Sequence, residues 1–214
     1  MAERLNFVRT AAWMASQDAT EEDPLPDSVV HSRRPSTKRA ATMVAKSIPV
    51  GEKRYRESYG RYVEDFGVGD IYEHRPGRTI SESDNTWFTL LTMNQHPLHF
   101  DAEYGAQSEF GQNIVNSCLT LAIVTGMSVS DVSQKTVANL GWDNVRLTAP
   151  VVVGDTLYAE SEVLEKRESK SRPTQGIVRI RTLGLKADGT QVMSFERAML
   201  IPFRGHAVDD QIRY

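Results

Sequence analysis

NIVNSCLTLAIVTGMSVSDV, residues 113–132, places Ile114, Val115, Leu119, Leu121, Ala122, Ile123 and Val124 within one expected helix. At helical spacing these side chains point around nearly the whole circumference, so no side is left for water and the helix must be buried. Its burial needs a surface that wraps around it. The sequence on either side supplies one.

Downstream, TVANLGWDNVRLTAPVVVGDTLYAESEVLEKRES (136–169) reads as a strand, a turn from Pro150 to Gly154-Asp155, and a second long strand. QGIVRIRTLGLKADGTQVMSFERAMLIPF (175–203) supplies two more, joined at Asp188-Gly189, a strong hairpin signal. Ile177, Arg179 and Arg181 alternate with Val178, Ile180 and Thr182, the period of a sheet with one buried face. Upstream, GDIYEHRPGRTIS (69–81) reads as a strand or strand pair turning at Pro76-Gly77. SESDNTWFTLLTMN (81–94) follows as a helix carrying Trp87, Leu90, Leu91 and Met93, capped by Ser81 or Ser83. DAEYGAQSEFG (101–111) is a short helix ending at Gly111. This order predicts an α+β fold, with one long buried helix lying across a curved antiparallel sheet.

The bulk numbers fit one globular domain with an extension. The chain has 214 residues, 40% hydrophobic and 25% charged, and a formal net charge of −3. That balance gives no general attraction to nucleic acid or to an anionic membrane. No apolar run reaches the roughly 18 residues of a membrane span. The N-terminus lacks a secretory signal, and the acids Glu3, Asp18, Glu21, Glu22 and Asp23 speak against a mitochondrial presequence. The single cysteine, Cys118, excludes an intramolecular disulfide framework and a multi-cysteine zinc site. A cytoplasmic setting is the expectation. Residues 1–50 read as an irregular arm, with a short amphipathic stretch at Leu5–Met14 and a basic cluster of Arg33, Arg34, Lys38 and Arg39. Residues 51–68 read as a connecting segment, 69–203 as the domain and 204–214 as a tail.

Between the two upstream helices lies TMNQHPLHFD, residues 92–101, which brings Asn94, His96, His99 and Asp101 together around Pro97. Zinc fits poorly, because the proline disfavours a helical His pair and no third ligand is evident, so no metal is expected. A serine hydrolase would need a G-x-S-x-G elbow, and a nucleotide-binding crossover a glycine-rich turn; neither is present. General acid–base chemistry fits better. Histidine titrates near neutral pH, and an X-Pro-X-His turn holds its imidazole in one direction. The buried helix that follows offers free N–H groups at its start, which can stabilise an oxyanion on a thioester carbonyl.

NQHPLHFD, FGQNIVNS and APVVVGDTLYAESEV together resemble the MaoC-like dehydratase and (R)-specific enoyl-CoA hydratase family over about Gly69 to Phe203. The resemblance implies a single hot-dog domain that hydrates, or dehydrates, an enoyl-CoA thioester. The family turn is G-D-x-N-P-x-H-x-D, so His99 matches the catalytic histidine, and the backbone N–H groups of Asn116 and Ser117 match the oxyanion donors. This chain departs from the pattern. Asn94 stands where the family has its catalytic Asp, and His96 where it has Asn. An amide cannot accept a proton as a carboxylate does, so Asn94 is expected to orient water, with His96 and Asp101 orienting substrate. Asp84 and Asp101 also each have a plain reading as helix caps.

The TMN preceding the turn is similar to a branch that handles branched or dicarboxylic C5 acyl-CoAs, including mesaconyl-CoA. A free substrate carboxylate would meet His96, Asn94 or Arg146. Coenzyme A is implied as part of the substrate, with no separate cofactor, and Arg167, Lys170 and Arg172 are candidates for its phosphates. The resemblance also implies a homodimer or larger homo-oligomer, with sheets paired edge to edge. Two rivals share the fold: a hot-dog acyl-CoA thioesterase, and a non-catalytic acyl-CoA-binding subunit.

Overall fold

The computed structural model describes residues 46–212. The expected arm features at Leu5–Met14 and Arg33–Arg39 lie outside the described residues. The described chain opens with an antiparallel hairpin, β1 (Lys46–Gly51) and β2 (Arg54–Ser58), across the expected boundary between arm and connector.

The main sheet follows from alternation. β3 (Ile71–Thr79), β4 (Ala138–Leu147), β5 (Thr156–Glu168), β6 (Gln175–Lys186) and β7 (Gln191–Pro202) form one five-stranded antiparallel sheet in the order β3-β5-β6-β7-β4. Along β6, Val178, Ile180 and Thr182 are buried while the residues between them are not, as the period-two pattern requires. Asp188-Gly189 closes the β6–β7 hairpin, with Gly189 at φ 88° and the Thr190 N–H donating to the Asp188 carboxylate at 2.9 Å.

Three α-helices stand between β3 and β4: α1 (Glu82–Leu91), α2 (Ala102–Gln107) and α3 (Ser117–Met127). The last is the expected central helix. Its residues Leu119 and Val124, with Val115 just before it, pack against Leu157, Ala159, Met193 and Phe195 of the sheet. Burying each such large side chain contributes about 1.5–3 kcal/mol. Close approach is possible because β6 has Gly184 beneath the helix; a Cβ there would meet Val124 Cγ2 at 2.8 Å. The arrangement is the hot-dog fold.

Burial of α3 is one-sided, which corrects the expectation of cover all round. Ser117, Cys118, Ala122 and Gly126 form an exposed stripe of small residues. One sheet covers one side of a helix, so among the described residues the other side of this apolar element is open.

The connecting segment is also more than a connector. Val63 and Phe66 are buried against Val163, Val178, Ile180, Met199 and Ile201. Gly176 admits them, because a Cβ at that position would meet Val63 Cγ2 at 2.9 Å. Beside this core runs a buried polar seam: Arg61 Nε donates to Asp131 at 3.1 Å, His74 Nε2 lies 2.8 Å from Ser161 Oγ, and that hydroxyl lies 2.8 Å from Thr182 Oγ1. His74, Ser161 and Thr182 are all shut off from solvent, so the seam fastens the fold and offers no site for substrate. The tail is anchored too, by Lys135 Nζ on Asp209 and Tyr62 Oη on Asp210, both at 2.6 Å. It carries a last short helix, α4 (Val208–Gln211).

Pro76-Gly77 is not a turn. β3 runs straight through it, and the pairing with β5 shifts register between His74 and Arg78. Gly77 is needed there because Tyr158 of β5 crosses it; a Cβ would stand 2.5 Å from the Tyr158 ring.

Candidate active site

The site is built on α1. Ser81 caps it by accepting from the Asp84 N–H at 3.1 Å, and Asp84 reaches back to the Ser81 N–H at 2.8 Å, a reciprocal capping box. Arg78 adds an ion pair to Asp84 at 2.6 Å. Hydrogen bonds from Ser81, aided by the Arg78 charge, hold the Asp84 carboxyl below the usual range. Asp84 is therefore the helical half of the capping box that Ser81 begins. The helix then faces the opposite way from its apolar pattern. Trp87 is 68% exposed and Leu91 76%, while Asn85 is 1% and Thr89 0% exposed. Period alone groups residues onto a face; it does not say which face is inside. Here a polar pair is inside because it has hydrogen-bonding work at the site.

The histidine turn begins at Met93, whose φ of 59° is left-handed, at the position the family turn gives to glycine. Asn94 Oδ1 accepts from the His96 N–H at 2.9 Å, so this oxygen closes the turn. Orientation of water would fall to its Nδ2. His96 Nδ1 accepts from the Leu98 N–H at 3.2 Å and caps the one-turn 3-10 helix Pro97–His99. With Nδ1 accepting, the neutral His96 ring carries its proton on Nε2. The exposed ring lies edge-on to Tyr104, with centroids 5.8 Å apart, and 5.9 Å from the ring of His99. Asp101 Oδ1 accepts from the Tyr104 N–H at 3.1 Å and caps α2, which is its plain reading in the sequence.

His99 is half-buried, and its Nδ1 lies 3.0 Å from the carbonyl oxygen of Ile114. A carbonyl only accepts, so Nδ1 carries the proton and Nε2 keeps a free lone pair. The imidazole is thus set up as a base on its Nε2 side. Two asparagines outside the turn hold this geometry. Asn113 Nδ2 donates to the carbonyls of Leu98 and Asp101, each at 2.9 Å, and Gly105 leaves room for it, since a Cβ there would meet Asn113 Nδ2 at 2.7 Å. Asn85 Nδ2 donates to the carbonyls of His99 at 2.8 Å and Ile114 at 3.1 Å. Neither asparagine was expected from sequence to serve the site, although Asn85 inside an apolar helical pattern is the signal that could have found it.

At the start of α3 the two expected donors part company. The Asn116 N–H donates to Asn85 Oδ1 at 2.8 Å, so it is not free for an oxyanion, which corrects the sequence expectation. Asn116 instead caps α3 through the Cys118 N–H at 2.9 Å. The Ser117 N–H has no hydrogen-bond acceptor among the described residues and lies on an exposed residue at the first helical position. It is the available donor.

The remaining candidates lie apart. Arg146 is on β4, and its guanidinium donates to the neighbouring Val145 carbonyl at 3.3 Å, with no contact to the turn among the described residues. Arg167 is paired with Glu165 at 3.3 Å, and both line a shallow groove with Asp143 and Arg179. Acids balance bases there, which weakens the groove as a phosphate seat. Among the described residues no group of three His, Cys, Asp or Glu side chains is placed to hold a metal ion, and no helix is long and apolar enough to cross a membrane.

The sequence model of the mesaconyl-CoA hydratase family matches residues 48–212. A mesaconyl-CoA hydratase of Cereibacter sphaeroides is 33% identical over 148 residues, covering 69% of this chain and 43% of that protein. A β-methylmalyl-CoA dehydratase of Chloroflexus aurantiacus is 30% identical over 142 residues, covering 66% of this chain and 40% of the relative. Among solved structures, the MaoC-like dehydratase of Rhodospirillum rubrum superposes with a TM-score of 0.61 at 26% identity, covering 68% of this chain and 99% of that one. The chain spans about two fifths of the length of these curated relatives.

Proposed function

The chain belongs to the mesaconyl-CoA hydratase family, and on that basis we propose that it adds water across, or removes it from, the double bond of an enoyl-CoA thioester. The observation that carries the reading is the His99 Nδ1 bond to Ile114 O, which leaves Nε2 as a base beside the segment that starts α3. In hydration, Nε2 takes a proton from water as the water oxygen bonds to C3. The π electrons move toward the thioester carbonyl, whose oxygen gains negative charge against the Ser117 N–H. The imidazolium returns the proton to C2, and the double bond is saturated. Dehydration runs the same path backward. His99 acts as both base and acid, because Asn94 offers no carboxylate and its Oδ1 is engaged in the turn.

A branched C5 dicarboxylic acyl group, such as the mesaconyl group named in the relatives, is the proposed substrate. Its free carboxylate calls for a donor beside the reacting carbons, and His96 presents an Nε2–H next to His99. Besides water, the CoA thioester is itself the only small molecule the proposed reaction needs. A second hot-dog layer would complete the site: among the described residues β4 leaves an open sheet edge carrying exposed Leu140, Trp142, Val145 and Leu147, and α1 leaves Trp87, Leu90 and Leu91 uncovered. A homodimer supplies that layer. Side-chain bonds at the α3 start come from Asn85, Thr89 and Asn116, none of them a carboxylate, which counts against the thioesterase alternative.

Mesaconyl-, crotonyl- and longer enoyl-CoAs, incubated with the purified chain, test this reading. Loss of the conjugated double bond without release of free CoA thiol is expected. Thiol release would establish hydrolysis instead, and tight binding without turnover would leave a binding subunit.

A further inference from the structure

We propose that Asn85 is a positioning residue that fixes the catalytic base and the oxyanion donor relative to each other, an inference that rests on the hydratase reading above. The amide is almost wholly buried and can sit only one way round, since its nitrogen faces two carbonyl oxygens and its oxygen faces an N–H. Each of its three bonds does a separate job. The bond to His99 O at 2.8 Å holds the backbone that carries the imidazole. The bond to Ile114 O at 3.1 Å takes one lone pair of the carbonyl whose other lone pair receives His99 Nδ1–H. It thereby fixes the acceptor that sets the tautomer of His99. The bond from the Asn116 N–H at 2.8 Å fixes the residue before Ser117 and removes one of the two candidate donors from the site.

The base and the helix start come from segments separated by α2, and Asn85 on α1 joins both. Thr89, one turn further along the same buried face, supports the joint by accepting from Asn116 Nδ2 at 3.3 Å. A small error in the distance between a base and an oxyanion donor costs rate far more than it costs binding. Asn85 therefore acts on turnover through His99 and Ser117 without touching substrate.

Asn85→Asp and Asn85→Leu test the assignment, with folding checked by circular dichroism and melting. Asn85→Asp keeps the volume and the acceptor for the Asn116 N–H but loses both donors; Asn85→Leu removes all three bonds. In whichever variant folds, kcat is expected to fall roughly a hundredfold while KM stays within about threefold. In a Ser117→Pro background, which has already lost the donor, the same change is expected to cost less than about tenfold. Nitrogen NMR of the His99 ring gives a readout independent of turnover: the wild-type chain holds the Nδ1–H tautomer, and the Asn85 variants populate both. Unchanged kcat and an unchanged tautomer in a folded variant would overturn the proposal, as would a loss that multiplies fully with Ser117→Pro. If the wild-type chain hydrates no enoyl-CoA, the hydratase reading falls, and the tautomer measurement alone still decides whether Asn85 positions His99.

Discussion

His99 Nδ1 donates to the carbonyl oxygen of Ile114 across 3.0 Å, joining the proline-stiffened turn to the segment that leads into the central helix. This one bond answers two questions that residue types leave open: which ring nitrogen keeps its lone pair free, and which side of the turn faces the helix start. Replacing the imidazole removes the proposed proton carrier while leaving the turn, whose closure depends on Asn94 Oδ1 and His96 Nδ1. His99→Ala is expected to lower kcat/KM for enoyl-CoA hydration by about a hundredfold to ten-thousandfold, with its elution on size-exclusion chromatography unchanged from the wild type. Near-normal turnover by this variant would remove the mechanism.

Ser117 offers a cleaner cut, because its function is assigned to a backbone group. Proline lacks that N–H and is favoured at the first position of a helix. The residue before it, Asn116, has φ −56° and ψ 125°, a conformation that a following proline accepts. Ser117→Pro is therefore expected to fold normally and to lose about a hundredfold to a thousandfold in kcat. Ser117→Ala keeps the N–H and should keep most of the rate. Equal activity in the proline and alanine variants would show that the oxyanion is held elsewhere.

How much of this was written in the chain? The sheet was legible, because alternation along Ile177–Thr182 and the Asp188-Gly189 hairpin are decided locally. The histidine turn was legible for the same reason: Asn94, His96 and Pro97 build it from their own side chains. What stayed hidden depends on partners distant in sequence. Pro76-Gly77 looks like a turn until Tyr158 of β5 is laid across it. The two faces of α1 are distinguished only when Asn85 finds three bonding partners, two of them around residues 114–116. Asn116 and Ser117 are equivalent as sequence positions, and the same Asn85 oxygen makes them different.

Asn94→Asp restores the acid that the family turn has at this position. One carboxylate oxygen can still accept from the His96 N–H, as Asn94 Oδ1 does at 2.9 Å, so the turn should survive. The second oxygen would stand where Nδ2 is now, turning a donor into an acceptor. If His99 alone carries the proton, a carboxylate beside it should preserve the rate or raise it severalfold on a neutral enoyl-CoA such as crotonyl-CoA. On a dicarboxylic substrate the new negative charge should raise KM by repulsion, about tenfold for the roughly 1.4 kcal/mol that close like charges cost in a half-buried site. A collapse of kcat on both substrates would instead assign the Asn94 amide a catalytic role of its own.

Asp84 gives the fold a pH dependence whose sign can be worked out. Its carboxyl is held below the ordinary value, first by hydrogen bonds from Ser81 and then by the Arg78 charge. A depressed folded pKa means that the ionised carboxylate stabilises the native state above the unfolded value of about 3.9, and that this contribution is lost as pH falls through the folded value. Solvent screening limits its size, because Arg78 is 55% exposed. Asp84→Asn should therefore lower stability by about 0.5–1 kcal/mol at neutral pH, the usual worth of an exposed cap with its dipole interaction. Urea denaturation of both proteins across a pH series checks this: the gap should be constant from about pH 8 to pH 5 and shrink below about pH 4. Part of it should also shrink in high salt, by the share that belongs to Arg78 and the helix dipole and not to the Ser81 hydrogen bonds. A gap that persists undiminished in acid would mean that the carboxylate's charge contributes nothing and that the cap works through geometry alone.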